Sequence, residues 1–329
     1  MTTHPSDLAR LIDPLTVGEF FDKHWQGVHH VSHGPLERLT AIPGVAEIGT
    51  DVEQALERYR GPIMVYGDAV TEEAEGLSER MLVPHEEALD WLHKGANLEM
   101  DFADMYLPRI RRLVGRLRTE LGLPEGTLAK AILYSGEGGA GLEPHFDAYC
   151  NFVLQLGGRK TWRVGPNTHV VNAVQHYDAF EAPYLPDELA SYWTGDTVDV
   201  DPPVLEEVEL TAGSLLFMPR GEWHATSSSE TSLALNLTFG QPSWLDLLLT
   251  EIRARLVKSP NWRALATAPG GAPWQSEQES RALLTEALGE LRTLGGAIEP
   301  DDVFGRHNAG TDRYSEIHRA LRQILRLPG

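Results

Sequence analysis

Apolar positions recur at helical spacing up to about residue 125. Thr16 with Glu19, ahead of Phe20 and Phe21, forms a capping-box pattern, and Trp25 extends that apolar face. Asp51 to Tyr59 reads as a short helix stopped by Gly61-Pro62, and Ile63 to Tyr66 as a strand. Pro84 to Leu92 and Ala103 to Leu121 read as helices, the second with Ile110, Leu113, Val114, Leu117 and Leu121 along one stripe. From about 126 to 240 the period changes to two and turn residues multiply. This stretch predicts strands at Ala131 to Tyr134, Ala148 to Leu156, Thr161 to Val164, Glu206 to Leu210, Ser214 to Met218 and Ser232 to Phe239. Residues 166 to 203 interrupt it with a Pro-, Asp- and aromatic-rich insertion, too long for a plain connection. Helical spacing returns at Trp244 to Leu256, Glu279 to Leu294 and Ser315 to Leu327.

Many short strands between helical flanks predict a mainly β fold, a sandwich or barrel. Three regions follow: helices over 1–125, the barrel over 126–240 and a helical region over 241–329. Lys and Arg number 28 against 48 Asp and Glu, a net charge of −20. That balance argues against general nucleic-acid binding and an anionic membrane surface; solubility is the commoner reason for such acidity, and a cationic partner such as a basic peptide is the sharper alternative. Cys150 is the single cysteine, so no intrachain disulfide forms and a reducing, cytoplasmic setting is expected. The N-terminal residues lack the pattern of a signal peptide, and no apolar run is long enough to span a bilayer.

The chemistry concentrates in Glu143-Pro144-His145-Phe146-Asp147. Two residues apart on a strand, His145 and Asp147 share a face. His224, following the run from Gly213 to Pro219, supplies a second imidazole. Two histidines and one carboxylate without a thiolate are the set that holds Fe(II) on one face and leaves other positions open. Continued alternation places Tyr149, Asn151, Val153 and Gln155 on that face, and Gly157-Gly158 reads as a two-residue hairpin. Pairing across it would set Gln155 opposite Lys160 and Val153 opposite Trp162, turning Lys160 into the same cavity. A lysine there needs an anion. A 2-oxo dicarboxylate such as 2-oxoglutarate satisfies both needs, chelating the metal and presenting its distal carboxylate to Lys160. On the last strand Ser232, Ala234, Asn236 and Thr238 alternate with Leu233, Leu235, Leu237 and Phe239, so Asn236 is expected to contact the cavity. Cys150 falls on the opposite face and reads as a packed side chain. His29, His30 and His33 read as a surface run, His169 and His176 as loop residues, and Asp196 to Asp201 as a solvated loop.

The run GLEPHFDAYCNFVLQLGGRKTWRVG resembles the JmjC-type cupin hydroxylases, especially the ribosomal-oxygenase branch, with the likeness extending over roughly residues 15 to 245. The resemblance implies a double-stranded β-helix, or jelly-roll barrel, with iron held by His145, Asp147 and His224. It implies that Lys160 binds 2-oxoglutarate, that Asn151 and Tyr134 line the same pocket, and that O2 is the oxidant. Many relatives carry Asn two residues before that tyrosine, where this chain has Ile132. The implied reaction is hydroxylation of a peptide or protein side chain, at the β-carbon of His or Arg. A ribosomally made natural-product precursor peptide and a ribosomal protein are the two substrate readings. The helices after the barrel are expected to form a homodimer or to cap the barrel. Two rival readings are a non-catalytic cupin sensor of a small acid and a metal-dependent isomerase or dioxygenase that uses no 2-oxoglutarate.

Overall fold

A computed structural model describes residues 6–74, 80–136, 141–178, 184–195, 205–266 and 276–309. The first strands are β1 (His30–Ser32), β2 (Ile63–Tyr66), β3 (Arg80–Val83), β4 (Asn97–Met100) and β5 (Leu128–Gly136). Next come β6 (Leu142–Phe146), β7 (Cys150–Gly157), β8 (Arg159–Gly165) and β9 (Tyr177–Asp178). The series ends with β10 (Glu206–Thr211), β11 (Leu215–Met218), β12 (Trp223–Ser227) and β13 (Ser232–Gly240). An eight-stranded sheet runs β1-β11-β7-β13-β5-β4-β2-β3, and a five-stranded one runs β10-β8-β12-β6-β9. From β5 to β8, and again from β10 to β13, consecutive strands alternate between the sheets, as in the expected jelly roll.

Alternation decides what each face meets. Val153, Leu216, Met218 and Ala234 of the larger sheet pack on Trp162, Val164, Val208 and Leu210 of the smaller one. The larger sheet's other face, with Cys150, Phe152, Leu154, Phe217, Leu235 and Phe239, shares a core with Phe20, Leu39, Leu113 and Leu117. Because β7 and β13 are covered on both faces, they are buried along nearly their whole length, with apolar side chains on the outer face and Asn151, Gln155, Asn236 and Thr238 on the inner one. The capping box at Thr16 forms as expected: the Glu19 amide donates to Thr16 Oγ1, and Glu19 Oε2 accepts from the Thr16 amide.

Several expectations are revised. The stretch 103–121 is two helices, Ala103–Tyr106 and Pro108–Glu120, divided where proline cannot donate to the preceding turn. The N-terminal region contributes four strands, of which only β2 was legible. The Gly157-Gly158 turn does not close a hairpin. β7 pairs with β11 and β13, while β8 pairs with β10 and β12, so the turn carries the chain from one sheet to the other. Gly158 has φ +61°, and a Cβ there would lie 1.9 Å from the Thr231 carbonyl oxygen, so only glycine suits this crossing. His145 and Asp147 do not lie on a single long strand with Asn151, because the chain leaves β6 after Phe146 and re-enters as β7 at Cys150. The helix expected at Ser315 to Leu327 and the acidic run Asp196 to Asp201 lie outside the described residues.

By compactness the chain divides into two units. One comprises the described residues up to Leu123 together with Leu128–Gln241, and holds both sheets; the other comprises Pro124–Thr127 and the described residues from Pro242 on. In the second, Glu251 accepts from Arg255 and Arg306, tying the helix Trp244–Leu256 to the helix Pro300–Ala309.

Candidate active site

Between the sheets lies a cavity lined by His145, Asp147, His224, Lys160, Tyr134 and Asn236 among others. His145 and His224 arrive on adjacent antiparallel strands as directly opposed residues. Asp147 follows β6 in the turn, where its backbone carbonyl accepts from the Gly221 amide at 2.8 Å. One ligand atom from each of the three lies within 4.8 Å of the others, and all three residues are buried.

Hydrogen bonding prepares these atoms. His145 Nδ1 lies 2.8 Å from the Glu143 carbonyl and His224 Nδ1 lies 3.0 Å from the Glu222 carbonyl. Each ring donates there and keeps Nε2 as its lone-pair nitrogen. Burial first, then the neighbouring His145, lowers the His224 pKa to about 3, so its imidazole is neutral and ready to ligate. Burial raises the Asp147 pKa, but the His176 hydrogen bond and the nearby imidazoles outweigh it and hold the carboxyl at about 2. Asn151 Nδ2 donates to Asp147 Oδ2 at 3.1 Å, and Asn151 Oδ1 accepts from Thr238 Oγ1 at 2.8 Å. Asn151 thus orients the carboxylate from β7. A buried set of two imidazoles and a carboxylate, with no thiolate, fits Fe(II).

The rest of the cavity suits an anion. Burial lowers the Lys160 ammonium to about 8, and no carboxylate among the described residues pairs with it. Its Nζ lies 5.9 Å from the centre of the Trp162 ring. Trp162 Nε1 and Asn236 Oδ1 are buried without hydrogen-bond partners among the described residues. A free ammonium and an orphaned N–H in one cavity are what a dicarboxylate co-substrate would satisfy. Tyr134 also lines this space, and burial raises its hydroxyl pKa well above the ordinary value.

Two histidine readings change. His176, placed by sequence in a solvent-facing loop, has Nδ1 3.1 Å from Asp147 Oδ1, although its side chain is half exposed. The insertion that carries it has its own core, in which Val170, Ala173, Tyr177 and Leu189 pack with Phe146 and Trp223. Beside β1, His29 Nδ1 meets Glu222 Oε1 at 2.7 Å and His33 Nδ1 meets Ser214 Oγ at 2.9 Å, so neither is a plain surface residue. These partners are 193 and 181 positions away, beyond the reach of local pattern. Cys150 is buried on the opposite face of β7, as expected.

The fold and this donor set define a metal- and 2-oxoglutarate-dependent oxygenase of the jelly-roll type. The JmjC domain matches residues 116–247. Over 97% of both chains, the sequence is 43% identical to the uncharacterized protein YxbC of Bacillus subtilis (strain 168). It is 24% identical to the bifunctional lysine-specific demethylase and histidyl-hydroxylase NO66 of Drosophila erecta, over 77% of this chain and 36% of that protein. The fold is similar to that of YcfD, a ribosomal oxygenase from Escherichia coli solved with cobalt and 2-oxoglutarate, with a TM-score of 0.51 and 17% identity over 90% of this chain and 71% of the other. The chain belongs to the JmjC-domain family.

Proposed function

We propose that this protein hydroxylates a side chain, at the β-carbon of a histidine or arginine, in a peptide or protein substrate. The observation that carries the reading is one cavity holding the His145, Asp147 and His224 donors together with Lys160, which has no carboxylate partner among the described residues. In this assignment the three donors hold Fe(II), and Lys160 receives the distal carboxylate of 2-oxoglutarate. Bound there, iron and co-substrate supply the activation of O2 that breaks an unactivated C–H bond. The protein's own work is positional. The carbonyls of Glu143 and Glu222 fix both imidazoles, Asn151 and His176 hold the two Asp147 oxygens, and the apolar walls exclude bulk water. Tyr134 and Asn236 are assigned to the pocket wall around the co-substrate.

The ribosomal-oxygenase names of relatives favour a ribosomal protein as target, and the acidic net charge of −20 suits a basic one. A natural-product precursor peptide offers the same chemistry. We also assign a homodimer to the C-terminal helices, supported by the exposed Leu283, Leu284 and Leu288 on the helix Glu277–Gly295. Sedimentation of the intact protein tests it.

The oxygenase test is anaerobic. Protein loaded with Fe(II) and 2-oxoglutarate should develop the visible charge-transfer band of the chelate, and His224→Ala should not. Mass spectrometry should then detect a gain of one oxygen on a peptide substrate, with succinate released. Iron binding without the band, or succinate absent throughout, refutes the reading.

A further inference from the structure

The cavity-facing surface of the larger sheet continues past the cavity. Ala234 of β13 stands opposite Tyr134 of β5, Tyr134 opposite Glu99 of β4, and Glu99 opposite Met64 of β2. Directly opposed residues share a face. Glu99 therefore sits one strand, about 4.8 Å, beyond a tyrosine that lines the cavity. Tyr66 shares that face two residues after Met64, and Tyr149 lines the cavity from the β6–β7 turn. Burial raises the hydroxyl pKa of Tyr66 and of Tyr134, and the nearby Glu99 raises both further.

Glu99 is half-buried and, among the described residues, has no ion-pair or hydrogen-bond partner. The nearby cations are engaged elsewhere. Lys130 Nζ bonds Asp101 at 2.8 Å and lies over the Phe102 ring, and the Arg80 guanidinium lies over the Tyr66 ring at 5.5 Å. Burial, then the neighbouring Asp101, raises the Glu99 carboxyl above its ordinary range. Lys130 and Arg80 offset this only from a distance, so a partly buried carboxylate here gains from a cation that pairs with it directly.

We propose that Glu99, with Tyr66, Tyr134 and Tyr149, forms a subsite that receives the positively charged end of the substrate side chain, and that a guanidinium fits it best. A guanidinium is planar, weakly hydrated, stacks on aromatic faces and gives two parallel N–H donors to a carboxylate. A neutral imidazole would leave Glu99 uncompensated. The inference rests on the oxygenase reading and adds to it the charge of the substrate side chain.

The probe is agmatine, which carries the arginine side chain without the peptide. Saturation-transfer NMR on protein holding Co(II) and 2-oxoglutarate, without O2, should detect its binding. Glu99→Gln should weaken that binding about tenfold or more, with 2-oxoglutarate affinity unchanged as the check on folding. The uncharged isostere N-carbamoylputrescine should bind wild type at least as weakly as agmatine binds the variant. Agmatine that fails to bind wild type, or binds Glu99→Gln equally, overturns the proposal, as does equal binding of the isostere. Failure of wild type to take up 2-oxoglutarate would strike the oxygenase reading instead, and the agmatine titration would still report on Glu99.

Discussion

His145 and His224 are cross-strand partners with ring centroids 4.0 Å apart, and each ring donates Nδ1–H to the carbonyl two residues before it. The same local device, repeated on β6 and β12, leaves both Nε2 atoms free to ligate. His224 Nε2 lies 3.6 Å from Asp147 Oδ2. A three-donor site built this way tolerates no deletion. His145→Ala, His224→Ala and Asp147→Ala should each lower Co(II) affinity by about 100-fold or more, beyond the 10–100-fold typical of losing an outer partner. Equilibrium dialysis against a chelator checks this.

His176 holds Asp147 from the insertion. With its hydrogen bond gone, one carboxylate oxygen loses its orientation while the donor set stays complete. His176→Ala should therefore weaken Co(II) binding by about 10–100-fold, less than removal of a ligand. The Co(II) absorption spectrum should shift as well, which a purely structural role would not cause. An unchanged spectrum and affinity would leave His176 without influence on the site.

Much of this site could be read from residue order, though one step relied on a pairing that does not occur. Lys160 was expected in the cavity through a β7–β8 hairpin, yet those strands lie in different sheets. The conclusion survives because the two sheets face each other, so side chains pointing inward from either one meet in the same space. The ligand strands were harder to see. β6 is five residues long with Pro144 at its centre, and β12 is also five residues long and follows a Pro-Arg-Gly turn. Neither carries enough alternation to register. β4, Asn-Leu-Glu-Met, follows a helix and has no turn signal of its own strength, so Glu99 stayed hidden until the ladder placed it beside Tyr134. The His29–Glu222 and His176–Asp147 contacts depend on folding itself, because nothing local in sequence ties the partners together.

Phe152 anchors the face of β7 that points away from the cavity. Its ring centroid lies 4.8 Å from Phe217, 5.9 Å from Phe20 and 6.0 Å from Phe239, and it is fully buried. Phe152→Ala leaves a cavity that β-sheet backbone cannot collapse to fill, and should cost about 3–5 kcal/mol. Urea unfolding followed by tryptophan fluorescence measures it. Phe152→Leu should cost clearly less, since more of the volume is kept.

Lys160 makes the pH dependence testable. Burial lowers its pKa from 10.5 to about 8 in the free protein. A distal carboxylate binds the ammonium and gains little from the neutral amine. Affinity for 2-oxoglutarate should therefore be flat below about pH 8 and fall about tenfold per pH unit above it, each unit being about 1.4 kcal/mol. Stability without ligand should move the opposite way. The folded-state pKa lies below the unfolded value, so holding the proton opposes folding below about pH 8, and stability should rise between about 8 and 10.5 as that proton is lost. Lys160→Arg keeps its charge across this range and should flatten the binding profile, whereas Lys160→Ala should bind weakly at every pH. Calorimetric titrations of 2-oxoglutarate into the Co(II)-loaded proteins from pH 6.5 to 9.5 decide the matter. A wild-type profile flat to the top of that range would show that Lys160 does not meet the co-substrate's charge.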